Sequence, residues 1–186
     1  MFYKETPKQL QDGRYFSKIS NDEEGSRVFK QFNKVNILSN FSEAPSVVID
    51  VSDHQDTFDS IDVENKQAAK INSEAWFGKV LTDKTLEAAY TKPVSQDGEI
   101  TVTKIRPDIS IYDHSKNPIN AEDLPENTVC DVIMELSGLT FSKKSFGPVW
   151  RLVQVKLPAP PKKPKYSEYL FEDQEDAEPE VDDEFA

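Results

Sequence analysis

Phe141, Lys143, Lys144, Phe146, Trp150, Gln154 and Lys156 stand within one short stretch, 141–156, of a 186-residue chain. Rings interleaved with cations suit a particular chemistry. An unpaired base stacks on an aromatic face while Lys and Arg follow the phosphates, and each stacked base contributes ~1–3 kcal/mol without demanding a particular sequence. The surrounding charge points the same way. Gly138–Tyr166 carries seven Lys and Arg and no acid, whereas ordinary surfaces intersperse both signs. The competing reading is structural: Trp150 and Phe146 belong to a core, and the lysines form a solvated edge.

The next twenty residues, 167–186, invert the pattern with ten acids and no base. Such a segment buries too little apolar surface to fold and is expected to be disordered. It nevertheless keeps Tyr169, Leu170, Phe171 and Phe185. Glu168, Tyr169, Phe171, Asp182, Asp183, Glu184 and Phe185 are therefore read as a built-in imitation of a nucleic acid. The carboxylates compete for the basic groove, the rings take base positions, and tethering supplies an effective concentration of roughly millimolar. Once displaced, the tail is free to recruit partner proteins. A plain solubilising tail is the alternative. The formal charge of -12 is misleading, because the tail contributes -10 and residues 1–166 only -2.

Nothing in the chain points to catalysis. His54 in "SDHQD" and His114 in "YDHSK" lie in polar, loop-like contexts beside aspartates, a common surface arrangement. Pairs such as Asp59 and Asp62 are supplied freely by charged loops. The sequence contains no GxGxxG, GxxxxGK, GxSxG, HExxH or CxxC. Its single cysteine, Cys130, can form no intramolecular disulfide and belongs to no zinc-ligand cluster. No catalytic residue, no cofactor and no metal is expected. The N-terminus, "MFYKETPKQLQDG", lacks a signal-peptide core, and no run reaches about 18 apolar residues. The chain reads as soluble and intracellular, with no membrane partner.

Several strands must position these groups. Residues 1–26 give weak signals and read as a polar segment ahead of the domain. "RVFKQFNKVNIL" (27–38), "SVVIDVS" (46–52), "EITVTKI" (99–105) and "DISIYD" (108–113) read as strands. Residues 53–60 read as an acidic, turn-prone loop. A helical insert is expected near 62–90, with Asn72 or Ser73 and then Thr82 or Asp83 as caps. The longest strand, 128–142, places Cys130, Val132, Met134 and Leu136 on one face, and Gly138 marks a bulge or bend. The return strand puts Trp150, Leu152, Gln154 and Lys156 on one side. "PAPPKKPK" ends the domain as an extended linker. The fold class is mainly β (α+β), a small barrel spanning 27–157, followed by a linker at 158–166 and the tail at 167–186.

"NSEAWFGKVLTDKTLEAAY" followed by "MELSGLTFSKKSFGPVWRLVQVKL", with the Pro/Lys linker and acidic tail, resembles the OB-fold single-stranded DNA-binding proteins of T7-like phages and nucleocytoplasmic large DNA viruses. The resemblance covers 60–186 and is strongest at 129–157. It implies a five-stranded OB barrel and a non-enzymatic viral protein that coats single strands during replication, recombination or repair. It further implies that the tail contacts replication proteins such as DNA polymerase, at the host-cell site of viral DNA replication, and a homodimer is allowed for. Carried over residue by residue, DNA binding falls on Phe141, Lys143, Lys144, Phe146, Trp150 and Lys156, and the tail role on Glu168 through Phe185. Phage tails of this type end on Phe, whereas Ala186 follows Phe185 here. The alternatives are an acidic-tailed interaction module or histone chaperone, and an OB-like RNA-binding or transcription factor.

Overall fold

The computed structural model describes residues 1–4, 6–41, 44–107, 109–125 and 127–160. The remainder of the linker and the whole tail, including Glu168, Tyr169, Phe171, Asp182, Asp183, Glu184 and Phe185, lie outside the described residues.

Five strands close on one another. They are β4 (Val28–Ile37), β5 (Ser46–Asp50), β6 (Glu99–Lys104), β9 (Thr128–Phe141) and β10 (Phe146–Lys156). β4 pairs antiparallel with β5, and β5 with β6. β6 runs parallel to β10, and β9 joins both β10 and β4 antiparallel, which completes the ring. In barrel numbering the order is first, second, third, fifth, fourth and back to the first. This is a five-stranded Greek-key barrel of the OB type, as expected. Smaller strands extend it: β1 (Phe2–Tyr3), β2 (Lys8–Gln9) and β3 (Tyr15–Ser20) at one margin, β7 (Ser110–Tyr112) and β8 (Pro118–Ile119) at the other.

Inward residues follow the two-residue period wherever the strands are regular. Cys130, Val132, Met134 and Leu136 are buried, as expected, and share one core cluster with Val47, Ile49, Ile100, Val102 and Leu152. Two irregularities reset the period. In β4 the register shifts between Phe32 and Val35, with Lys34 at φ 56°, so Val28 and Phe32 point inward before the break and Val35 and Ile37 after it. In β10 a shift between Leu152 and Gln154 turns Val155 inward and leaves Gln154 half-buried. Strict alternation in the return strand is thereby corrected: Trp150 and Leu152 share the interior with Val155, not with Gln154 and Lys156.

The helical insert lies between β5 and β6 and comprises α1 (Gln55–Ile71), α2 (Ser73–Phe77) and α3 (Asp83–Ala89). α1 begins within the stretch read as a loop. Its acids, Asp56 and Asp59, suit the first turns, where the positive end of the helix dipole favours carboxylates. Phe58 and Ile61 then supply the buried face. Thr82 caps α3 through its hydroxyl, which accepts from Thr85 N, as its position suggested. The ring of Phe58 stacks on Phe32 at 4.9 Å and meets Trp150 edge-on at 5.3 Å, so the insert is sewn into the barrel core.

The N-terminal segment is part of the domain. β3 pairs with β9 from Tyr15↔Phe141 to Lys18↔Gly138, and Ile19 is in the core. Gly138 makes this approach feasible, since a Cβ there would be driven into Ser17 O and the Phe16 ring. A register shift beside it, between Val149 and Trp150, confirms the expected bulge.

Candidate nucleic-acid interface

The turn joining β9 to β10 is Ser142–Ser145, closed by Ser142 N donating to Ser145 O at 2.8 Å. Lys143 and Lys144 stand exposed at its tip. The two rings that flank the turn do the opposite of what was expected. Phe141 is 5% and Phe146 2% exposed, and they stack on each other at 5.9 Å. Phe77 and Tyr90 meet Phe146 edge-on at 5.4 and 5.2 Å, while Trp76 and Phe77 meet Phe141. Trp150, at 4% exposed, is held among Phe32 and Phe58. The assignment of Phe141, Phe146 and Trp150 as base-stacking faces is thus corrected. Each ring packs against other rings and is at most 5% exposed, too little for a base to stack on, although Phe141 and Phe146 still border the cleft described below.

Gln154 and Lys156 are also not part of one patch with the turn. β10 carries them away from it, and at roughly 3.3 Å per residue Lys156 lies about 30 Å from Phe146. There Lys156 is opposite Asp131 in the register, with Gln154 opposite Ile133. Of the seven predicted residues, only Lys143 and Lys144 are solvent-exposed at a common site.

That site is a cleft of about 680 Å³ between the turn, α2 and the start of β3. Lys79, Lys143 and Lys144 line it, with no acid among its described lining residues. The three ammonium groups have no ion-pair or hydrogen-bond partner among the described residues. Lys79 is placed by the end of α2. Gly78 stops that helix in the left-handed conformation at φ 69°, donating its N–H to Glu74 O. The buried Ser73 hydroxyl then accepts from Leu81 N at 2.7 Å and donates to Lys79 O at 3.1 Å, pinning the loop. Tyr15, 45% exposed, borders the cleft and is the most exposed aromatic residue among its described lining. The sequence reading missed Lys79 and Tyr15, which come from segments remote from the hairpin.

The outer face of β5 and β6 gives a contrast. It carries Asp50 and Glu99 alongside Val48, Thr101 and Thr103, and no base. Ser52 donates from both its hydroxyl and its N–H to Asp50, which holds that carboxyl below its ordinary value and therefore charged. OB barrels take oligonucleotides on the face of the second and third strands and on the loops joining the first to the second and the fourth to the fifth. In this chain the outer face of the second and third strands carries two carboxylates, whereas the fourth-to-fifth turn carries two exposed lysines.

The two histidines and the cysteine are placed outside this site. His54 Nε2 lies 2.7 Å from Asn33 O, and its ring meets Phe32 edge-on. His114 is in the turn beside Asp113. Cys130 is fully buried, and burial pushes its thiol up to about 12. Among the described residues no group of three His, Cys, Asp or Glu is arranged to hold a metal, and no helix is long and apolar enough to cross a membrane.

No curated protein matches the sequence. Among solved structures, the single-stranded DNA-binding protein of bacteriophage Enc34 is similar in three forms. The complex with single-stranded DNA is 11% identical with a TM-score of 0.46, covering 82% of this chain and 94% of that one. The form without DNA is 11% identical at 0.48, covering 84% and 89%. A C-terminal truncation is 9% identical at 0.45, covering 82% and 91%. The sequence profile of DUF5871, a family of unknown function, matches residues 33–173. On that match, which spans most of the barrel and its helical insert, the chain belongs to DUF5871.

Proposed function

We propose that this protein binds single-stranded DNA without catalysing a reaction, through the cleft beside the 142–145 turn. The observation that carries the reading is the set of three lysines, Lys79, Lys143 and Lys144, unpartnered among the described residues and set around an acid-free cleft at the fourth-to-fifth turn of an OB-type barrel. The lysines take phosphates, and Tyr15 offers the flat surface that the buried rings do not. Coating of strands exposed in replication, recombination or repair is the role that fits binding without sequence preference. In this reading the acidic segment 167–186 competes for the cleft and, when displaced, recruits replication proteins such as DNA polymerase.

The test is a titration of the full chain with oligo-dT, followed by tryptophan and tyrosine fluorescence over a salt series. With about four to six phosphates contacted, log K should fall against log salt with a slope near -3 to -4. Removing 167–186 should tighten binding most at low salt. Absence of saturable binding at low salt, with and without the tail, would refute the reading.

A further inference from the structure

A second cleft, of about 320 Å³, lies on the other side of the same turn. Ser142, Ser145 and Phe146 line both clefts, so the two abut at the hairpin end. The alternation of the strands explains their placement. Tyr15 and Phe141 border the first cleft, whereas their neighbours Arg14 and Thr140 border the second, on the opposite face of the sheet. Lys92 completes the second, and none of its described lining residues is acidic. It is brought there by a strap after α3, in which Thr91 N donates to Phe146 O at 2.8 Å. Gly147 lets the strap close, since a Cβ there would meet Thr91 O at 2.5 Å.

Arg14 is paired with Asp12, and Lys92 with Asp59 at 2.8 Å. All four side chains are roughly half exposed, and exposed pairs of this kind contribute little. A phosphate replaces the carboxylate more easily at Lys92, which makes one hydrogen bond to Asp59, than at Arg14, whose Nε and Nη2 both donate to Asp12. Both cations border the cleft from outside the acid-free 139–166 run, and each adds to its positive charge only when a ligand displaces its carboxylate partner.

We infer that the two clefts are successive subsites for one DNA strand, which wraps over the Lys143–Lys144 tip from the Tyr15 face to the Arg14 and Lys92 face. This rests on the single-stranded DNA reading above and adds a second phosphate-binding site to it. A strand long enough to round the tip engages both faces, and a short one fills the first only.

The test compares oligo-dT of about four nucleotides with oligo-dT of about twelve, lengths within the range occupied by one OB barrel. The wild type and the double variant Arg14→Ala, Lys92→Ala are titrated over 50–200 mM salt. The short oligonucleotide should bind both proteins alike, which also reports that the variant is folded. With the long one, losing two phosphate contacts should flatten the variant's log–log slope by about 1.4. The wild type would then lose about 7-fold more affinity across that range than the variant. Equal slopes on the long oligonucleotide would overturn the wrapped path while leaving the first cleft intact. Weakened binding of the short one would place Arg14 and Lys92 in the first cleft or in the fold, and would also overturn it. Failure of the wild type to bind either length removes the functional reading and this inference together.

Discussion

Replacing Trp150 with Ala separates a core ring from a base-stacking ring. Trp150 is 4% exposed, with Phe58 at 5.3 Å and Phe32 at 6.1 Å. A buried Trp removes about 150–250 Å² from water, worth at most ~4–6 kcal/mol at ~25 cal/mol/Å². One effect opposes this. Its Nε1 finds no acceptor among the described residues, and an unsatisfied buried donor costs about 1–3 kcal/mol, which the substitution relieves. The net loss is about 3 kcal/mol, the lower end of the range for Trp→Ala in cores. For a domain of this size that lowers Tm by about 6–12 °C. Thermal melting followed by circular dichroism measures the shift, and an oligo-dT titration well below the transition measures affinity per folded molecule. The Tm should fall and the affinity should hold. Trp150→Phe, which keeps a ring and removes the unsatisfied donor, should lose much less. Unchanged melting with lost affinity would refute the reasoning and return Trp150 to the DNA.

The lysines should behave in the opposite way: Lys143→Ala with Lys144→Ala should leave melting unchanged and flatten the salt slope by about 1.4, and an unaltered slope would take both out of the site. Gly138→Ala forces a Cβ against Ser17 O and the Phe16 ring, so urea denaturation should show a loss of about 2 kcal/mol, and a neutral result would mean that β3 can shift away from β9. Burial raises the Asp62 carboxyl despite the hydrogen bond it accepts from the Tyr90 hydroxyl at 2.6 Å and despite Lys92 and Lys66 nearby. A carboxyl that holds its proton more tightly when folded costs stability as pH rises from its unfolded pKa through its folded one. Asp62→Asn should therefore melt above the wild type at pH 7, the gap closing as pH falls below about 4. A variant that melts below the wild type at pH 7 would show that the charged carboxylate stabilises the fold.

The barrel was legible because its strands obey local rules. The period of two at 130–136 and the β-branched runs at 46–52 and 99–105 are written in consecutive residues. β3 was missed because Tyr15–Ser20 has little apolar periodicity of its own, and it becomes a strand through pairing with residues 138–141. The start of α1 was missed because its acids were read as turn formers, although acids in a first turn support a helix. The face of β10 was misread past Leu152 because a bulge changes which residues point inward without leaving a Gly or Pro in the sequence to mark it. The cleft was the least legible part. Tyr15, Lys79 and Lys144 meet only after the chain has folded, and no local pattern reports that meeting.

On the proposed reading, the hairpin residues singled out by sequence divide between two roles. A cation at the tip of a free hairpin would lose side-chain and backbone freedom on gripping a phosphate, and that loss reduces affinity. Here the last rung before the turn is a stacked pair, Phe141 and Phe146, braced by Phe77 and Tyr90 and by the strap bonded to Phe146 O. On the proposed reading, burying the rings prepares the lysines, because it ties both ends of the turn to the core. Along 141–146 two rings flank two cations: the rings secure the hairpin in the core and the lysines carry its charge to the surface. It follows that ring substitutions should act first on stability and lysine substitutions first on the salt slope. That division distinguishes this hairpin from an open aromatic platform, where both sets would weaken binding together.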